Sequence, residues 1–446
     1  MRALIASVTA AYLIGGLPVG PAGAAGFALR EQSGAALGNA FAGATAGAED
    51  LSFVFFNPAA AARQSGNQVV AVASGIRPRA RPHNTSAATA GGTPIIGGSG
   101  GGNVARDQIV PAFYALWDAT PELKLALSVT TPFGLETDYE SGWAGRYHAL
   151  TSRLRSVNLE PVAAYRFNDQ VSAGVGLQLQ YLDAKLTNAI DFGSLGAASG
   201  IGFALPTAQD GEARIEGDSL GLGATAGLLI EPVAGTRLGV TYRSQVHHEL
   251  DGTSRLRLDQ AGVGAALSAA SGSFVDGGAS AKLTLPESLS FGFHQAIGEG
   301  WAVMGEAAWT RWSRFDELRI SFDNPAQADS VTEEDWHDSW FLAAGVTYRP
   351  SERLSLRFGL AHDQSPVPDR TRTPRIPGGS RTWIALGAGY QVLPNLSLSL
   401  SYTHIFVDDV ALDLAAASPG NGARGSLSAD YESAIDIVAL QASLKF

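Results

Sequence analysis

The sequence predicts an all-β protein: a transmembrane antiparallel β-barrel of about fourteen strands with an N-terminal hatch folded into its lumen. Three observations carry that prediction. Apolar and polar residues alternate with period two in segments along the whole chain, short turns alternate with long polar connections, and the stretch 25–66 ahead of the first strand does not alternate at all.

Composition frames the reading. With 446 residues, 45% hydrophobic and 16% charged, the chain is too apolar to stay disordered. No charged or Pro/Ser-rich linker divides it, so one large body is expected. The formal net charge of −11, from 31 Lys and Arg against 42 Asp and Glu, argues against a nucleic-acid-binding surface. Cysteine is absent, which excludes disulfides and thiolate metal sites, and no cofactor is expected.

From the N-terminus, residues 1–24 carry Arg2, an apolar run and the triplet Ala22-Gly23-Ala24, the three regions of a cleavable secretory signal, which makes Ala25 the expected mature N-terminus. Pro18, Pro21 and the triplet argue against a membrane helix there. No later segment supplies the roughly 18 uninterrupted apolar residues that a spanning helix needs. Residues 25–66 hold Phe27, Leu29, Leu37, Phe41, Leu51, Phe53, Phe55 and Phe56 at irregular spacing, too many apolar groups to leave in water. They are expected inside the lumen as a plug, with the barrel over 67–446.

The strands follow. In 395–404, NLSLSLSYTH, Leu396, Leu398, Leu400 and Tyr402 take one face and Ser397, Ser399, Ser401 and Thr403 the other. The same alternation runs through 353–360, 171–181 and the C-terminal stretch ending at Phe446. Short turns fall at 118–122, 167–170, 231–235, 297–300, 349–353 and 391–395; long polar or glycine-rich connections fall near 83–104, 133–151, 187–211, 252–278, 321–334, 365–379 and 411–430. Six short and seven long connections join fourteen strands and leave both ends on the short-turn side, the layout of a bacterial outer-membrane barrel.

A barrel that wide is not filled by its own side chains, so the polar face is expected to line a wet interior and the apolar face to meet lipid. The bacterial outer membrane, with its lipid and lipopolysaccharide, is the expected surrounding. A filled barrel needs no partner for closure, so a monomer is expected. Pro111, Pro161 and Pro286 sit in strand-like runs, and each is expected at a bulge, an edge or a break in pairing.

Several motifs stand out: Ala25-Gly26-Phe27, Glu31-Gln32-Ser33 with Leu37-Gly38-Asn39-Ala40, and Asn57-Pro58-Ala59; then Thr131-Pro132-Phe133-Gly134-Leu135, Leu285-Pro286-Glu287, Trp309-Thr310-Arg311-Trp312-Ser313, and Ser365-Pro366-Val367-Pro368 followed by Arg381-Thr382-Trp383. Together they resemble the FadL family of outer-membrane long-chain fatty-acid and hydrocarbon channels over essentially the whole mature chain. The resemblance implies a fourteen-stranded barrel with an N-terminal hatch, an extracellular groove that captures the acyl chain, an apolar lumen pocket near the mature N-terminus, and lateral exit through a gap in the wall. Carried over by residue, Asn57, Pro58 and Ala59 would be the hatch motif and Phe27 the gate of the pocket, with Leu29, Phe53 and Phe55 as further pocket candidates. Pro58 also has a physical reading of its own, since it fixes its φ and pushes Asn57 out of the helical region, so the chain must turn there.

A long-chain acid needs apolar surface for its tail, worth roughly 0.8 kcal/mol per buried methylene, and a cation or donor for its head. Arg146, Arg155, Arg166 and Arg381, with Arg153 and Arg243, are the candidate carboxylate partners, against the plainer reading of lumen salt bridges or rim residues. The apolar run 201–205 and the segment 258–275 would supply the outer groove. Enzyme readings fare poorly. Gly97-Gly98-Ser99-Gly100-Gly101 matches G-x-S-x-G but lies in a glycine run, without strand–turn–helix context. The acids Glu333, Glu334, Asp335 and Asp338 read as a solvated loop before they read as a cation site. The expected function is passive uptake of long-chain fatty acids. Alternatives are a channel for hydrocarbons or aromatic xenobiotics and, from another class, a diffusion porin or adhesin.

Overall fold

The computed structural model describes residues 26–96 and 100–446. The expected signal, 1–24, lies outside the described residues, as does the Gly97-Gly98-Ser99 part of the G-x-S-x-G match.

Twenty strand segments make one sheet. They are β1 (Gln68–Ala88), β2 (Gln108–Asp118), β3 (Leu123–Thr130), β4 (Gly134–Asp138), β5 (Thr151–Arg166), β6 (Val171–Asp191), β7 (Asp210–Val233), β8 (Thr236–Arg243), β9 (Val246–Arg257), β10 (Gly277–Leu285), β11 (Ser288–Ile297), β12 (Trp301–Thr310), β13 (Glu317–Phe322), β14 (Ser330–Glu333), β15 (Ser339–Tyr348), β16 (Leu354–Asp363), β17 (Arg381–Leu393), β18 (Leu396–Val407), β19 (Val410–Leu414) and β20 (Ser426–Lys445). Six pairs, β3/β4, β8/β9, β10/β11, β12/β13, β14/β15 and β18/β19, run end to end as interrupted strands, which leaves fourteen in the wall. Sequence neighbours pair antiparallel, and β20 pairs with β1 from Gln68↔Lys445 outward, so the ring closes.

The apolar face looks outward. Along β18, Leu400 is 52% exposed while Ser401 and Thr403 are buried, and along β6 Val175, Leu177 and Leu179 are exposed while Gln178 and Gln180 are buried. A water-soluble sheet would show the reverse; here the greasy side meets hydrocarbon. Exposed aromatics gather beside the short turns at Trp117, Phe167, Trp301, Tyr348 and Tyr390, with Trp301 stacked on Tyr348 at 4.3 Å, as an interfacial belt requires. The chain is therefore a transmembrane β-barrel.

Each proline sits where a ladder bond is missing. Pro286 occupies the gap between β10 and β11. Pro161 pairs with Leu127 on β3, but pairing with β6 passes from Leu159↔Leu179 to Val162↔Gly176 without it. Pro111 pairs with Ala73 on β1 and lies beyond Phe113↔Val129, the outermost pair of β2 with β3.

Ahead of β1, residues 26–67 fold into a helical turn, Gly34–Leu37, capped by Ser33, and three 3-10 helices, Ala44–Ala46, Leu51–Phe55 and Pro58–Arg63. Their polar groups bond to strands around the ring. Gly34 N donates to Gln441 Oε1 on β20 at 2.9 Å, Asn39 Nδ2 to the Val346 carbonyl on β15 at 2.8 Å, Thr45 N to Glu306 Oε2 on β12 at 3.0 Å, and Asn57 Nδ2 to the Leu228 carbonyl on β7 at 3.1 Å. One segment reaching all these strands lies inside the ring. Inward glycines let it come so close. A Cβ on Gly239 would stand 2.0 Å from the Thr45 carbonyl oxygen, and one on Gly359 2.0 Å from that of Asn39. Leu29, Leu37, Phe41, Phe53 and Phe56 form an apolar core there with Phe341, Trp383 and Ile437 of the wall.

Candidate functional site

The site begins where β3 leaves the wall. After Thr130 the chain turns inward through Thr131-Pro132-Phe133 and resumes as β4, which pairs with β5. The extended residues 27–32 take the vacated edge. Leu29 N donates to the Pro132 carbonyl at 2.8 Å, Gly134 N to the Phe27 carbonyl at 2.9 Å, and Ala28 bridges Phe133. The buried Gln32 amide then grips the backbone of Thr131 twice, with Nε2 donating to its carbonyl at 2.8 Å and its N–H donating back to Oε1 at 3.1 Å. Between β2 and β3/β4 the described pairing stops at Phe113↔Val129 and is replaced, further out, by the bridge Ala105↔Thr137, a 2.8 Å bond from Asp138 N to the Val104 carbonyl, the Arg106–Asp138 ion pair at 2.6 Å and a 3.2 Å bond from Gln108 Nε2 to Glu136 Oε2. The wall is thus unladdered between Pro111 and Pro132, and the N-terminal segment holds one side of the break.

Other interruptions aim aromatic side chains at the same place. Phe27 lies 6.1 Å from Phe133, 4.8 Å edge-on from Trp312, 6.0 Å from Phe315 and 5.7 Å from Trp336, ring centre to ring centre. Those partners come from the β3/β4, β12/β13 and β14/β15 breaks. Gly26 must be glycine, since its φ is +63° and a Cβ would stand 2.6 Å from Trp336. The β10/β11 and β12/β13 breaks are tied together, Glu287 accepting from Arg314 Nε and Nη2 at 2.8 and 2.7 Å and from Arg311 Nη1 at 3.2 Å.

Phe27 forms one wall of a cavity, partly open to solvent, lined by Leu135, Leu154, Leu186, Ile215, Leu250, Leu283, Phe315, Leu318, Ile320 and Ile376. So apolar a lining suits an apolar ligand. Arg153, Glu216, Glu334 and Arg375 are its charged members. On the other side of Gly26 a second cavity, about 590 Å³, shares Leu135 and Ile376 and adds Arg79, Glu136 and Arg381. Outside the first lies a polar vestibule of about 790 Å³, formed by His148, Thr332, Arg370, Thr373, Arg375, Leu414, Asn421 and Arg424 among others. Arg375 borders both. Burial first, and the neighbouring Arg424, bring its pKa down to about 9. His148 is held down to about 3 by burial, with Arg424 and Arg375 beside it, and is neutral.

The outer connections 192–209 and 258–276 pack together through the helices Phe192–Ala198 and Val263–Ser271, with Phe192 edge-on to Phe274 at 5.2 Å, and leave Phe203, Leu205 and Val275 exposed. The acids Glu333 and Asp335 pair with Arg370, and Glu334 accepts from the Trp336 indole at 2.9 Å.

Of the residues singled out from sequence, Phe27 lines the cavity, while Leu29, Phe53 and Phe55 pack in the central core, Phe55 under Arg243 at 4.9 Å. Asn57 caps the Pro58–Arg63 helix, Oδ1 accepting from Ala59 N at 3.0 Å, while Nδ2 donates to the carbonyls of Thr45 and Leu228 at 2.8 and 3.1 Å. Arg146 pairs with Asp210 at 2.7 Å, Arg155 with Glu136 at 3.3 Å and Arg153 with Asp183 at 3.0 Å. Arg166 ends β5 at a short turn, away from the cavity, and Arg381 lines the second cavity. Arg375, at the cavity itself, had no signal in its neighbours: it lies in a long connection, and its contacts Thr151 and Ser152 are more than 200 residues away in sequence.

The family model described as "Outer membrane protein transport protein (OMPP1/FadL/TodX)" matches residues 19–446. The chain belongs to this family. It is therefore a transport protein of the outer membrane. It is similar to a putative outer membrane protein of Neisseria meningitidis serogroup B, 32% identical over 90% of this chain and 91% of that one, and to the long-chain fatty acid transport protein of Escherichia coli K12, 29% identical over 85% of this chain and 88% of that one. Its fold matches that of a Pseudomonas aeruginosa FadL homologue with a TM-score of 0.87 at 23% identity, covering 95% of this chain and all of the other. The Pseudomonas putida toluene transporter TodX aligns with a TM-score of 0.67 at 15% identity over 94% and 99% of the two chains.

Proposed function

We propose that this FadL/TodX-family member is a passive channel for long-chain fatty acids among hydrophobic compounds. The ligand is captured on the exposed apolar surface of the 192–209 and 258–276 connections, held in the greasy cavity beside Phe27, and released sideways into the membrane through the unladdered wall between Pro111 and Pro132. Residues 25–66 act as the hatch, with Asn57, Pro58 and Ala59 fixing the turn that braces it against β7.

One observation carries this reading: the segment that ends in Phe27 at the cavity is the same segment that holds the wall break through Leu29 and Gln32. A ligand that displaces Phe27 loosens the clamp on Thr131 and Pro132. The apolar lining favours a tail by roughly 0.8 kcal/mol per buried methylene, and a filled lumen is unsuited to an open porin. The relative named a long-chain fatty acid transport protein supports the acid; the structural likeness to a toluene transporter, with so apolar a cavity, supports hydrocarbons as the second reading.

Cells lacking the protein are expected to take up labelled oleate more slowly than cells carrying it, with labelled toluene unaffected. Unchanged oleate uptake rejects the fatty acid, and slowed toluene uptake in its place favours the hydrocarbon reading.

A further inference from the structure

A second seam in the wall borders the greasy cavity. Between β10/β11 and β12/β13 the ladder runs from Ile297↔Trp301 up to Ser288↔Thr310 and resumes above at Ala281↔Ile320. In between, six residues, 282–287, face nine, 311–319. Among the described residues one backbone bond crosses this seam, from Arg311 N to the Glu287 carbonyl at 3.0 Å. The surplus on one side is taken up by the Trp312–Arg314 3-10 helix, while β13 leaves β10 and pairs with β14 from Glu317↔Glu333.

The neighbouring interruptions are shut by backbone. Where β12/β13 meets β14/β15, Glu334 N and Asp335 N both donate to the Asp316 carbonyl at 2.8 Å, and Trp336 N to that of Phe315 at 3.2 Å. Where β7 meets β8/β9 the chains stay pressed together, since a Cβ on Gly221 would stand 2.8 Å from the His247 carbonyl oxygen. Side chains close the β10–β13 seam instead. Glu287, 6% exposed, is held by Arg311 and Arg314 from the exposed side, and Leu283, Leu285, Trp312 and Phe315 pack with Phe27 on the inside.

The seam has ligand space behind it and lipid in front. Ala281 and Leu283 on one edge and Phe315, Leu318 and Ile320 on the other are themselves walls of the cavity. On the outward face Leu289 pairs with Trp309 just below the seam and Phe291 beneath them is exposed, whereas Lys282, just above it, is exposed and paired with Glu249. Apolar surface below and charge above set the seam at the level of the lipid head groups, where unladdered backbone finds water.

We propose that this seam is a second lateral doorway, through which the cavity exchanges a single-chain amphiphile with the outer leaflet. The Trp312–Arg314 turn is its door and Glu287 its latch. An amphiphile in the leaflet holds its head group at this height and its tail beside Phe291, so it moves between cavity and membrane without entering bulk water. A ligand that displaces Phe27 also removes the ring that stands 4.8 Å edge-on from Trp312, which loosens the door when the cavity fills. The doorway works in parallel with the wall between Pro111 and Pro132 and does not need the Gln32 clamp to open; it rests on the reading that the cavity takes an apolar chain.

The test uses the full chain in phospholipid vesicles with Leu250→Cys as its one cysteine, set in the cavity wall on β9. Alkylation by N-dodecylmaleimide dissolved in the bilayer reports arrival from the membrane, and N-ethylmaleimide added to the water is the reference. Glu287→Gln is expected to speed the dodecyl reagent about fivefold or more and to leave N-ethylmaleimide within about twofold. Arg314→Gln, at an exposed position and with Arg311 still on Glu287, serves if Glu287→Gln does not fold, with a gain of about twofold or more expected. Gln32→Ala, which loosens the other break, should add its own gain to that of Glu287→Gln.

An unchanged dodecyl rate in both latch variants overturns the doorway, and a gain confined to Gln32→Ala assigns lateral exchange to the wall between Pro111 and Pro132 alone. An equal gain for both reagents also overturns it, making the seam a leak to water. A cysteine that N-ethylmaleimide reaches and the dodecyl reagent never does defeats the reading of the cavity itself.

Discussion

Replacing Gln32 with alanine tests the link between the N-terminal segment and the wall. The side chain is fully buried, and the change removes both of its bonds to Thr131, leaving a buried N–H and a buried C=O without partners. Each orphaned group costs about 1–3 kcal/mol, and water reaching the break from the cavity side trims the total to about 2–4 kcal/mol. Because the break carries little other pairing, the cost should appear as local opening rather than global unfolding. At about 1.4 kcal/mol per factor of ten, amide hydrogen exchange in 26–34 and 129–136 is expected to speed up roughly 30- to 700-fold. Strands β16 to β18 should keep their protection. Tyr114→Phe is the control: it removes only the 2.8 Å donation from the Tyr114 hydroxyl to the Gln32 carbonyl, costs about 1 kcal/mol, and leaves the Thr131 clamp intact. Exchange in 129–136 that changes less than about twofold in Gln32→Ala would show that the clamp does not hold the break.

Further expectations concern other parts of the molecule. Gly359→Ala sets a methyl group 2.0 Å from the Asn39 carbonyl oxygen, and should lower the unfolding midpoint in detergent or prevent the heat-modifiable folded band on gels; an unchanged midpoint would mean the segment does not press on that strand. Leu400→Lys, on the exposed face of β18, should cost about 2–4 kcal/mol in a bilayer if it lies near the midplane, measured by folding into vesicles, whereas Ser399→Lys on the opposite face should cost about 1 kcal/mol or less. Phe27→Ala removes the ring that four aromatic neighbours surround; it should weaken dodecanol binding as well as dodecanoate binding, measured by calorimetric titration of both.

The strand positions were readable because period-two alternation needs only neighbours along the chain. Val171 to Tyr181 and Leu396 to Tyr402 show it, and closure then decides which face is wet. The interruptions were not readable. Whether β3 ends at Thr130 depends on Leu29 and Gln32 filling the edge, and that pairing spans about a hundred residues of sequence. The proline positions marked weak pairing correctly, yet Pro111 looks like Pro161 until the partner strands are known. Inward glycines such as Gly239 and Gly359 carry a signal of their own: a glycine on the polar face of a barrel strand marks a close backbone approach. The candidate arginines stand at strand ends or in the first loops, and Arg146, Arg153 and Arg155 pair with Asp210, Asp183 and Glu136. Arg375 and Arg424 lie in separate long connections, and only the fold brings them to one vestibule.

The most direct test is a structure of the protein with ω-bromododecanoate, located by the anomalous signal of bromine. Bromine density is expected in the cavity among Phe27, Leu250, Leu283 and Phe315. Bromine found instead at the short-turn mouth, where Glu49 pairs with Arg357 at 3.5 Å and both line a polar cavity with Arg353 and Gln391, would contradict lateral release and point to passage through the barrel.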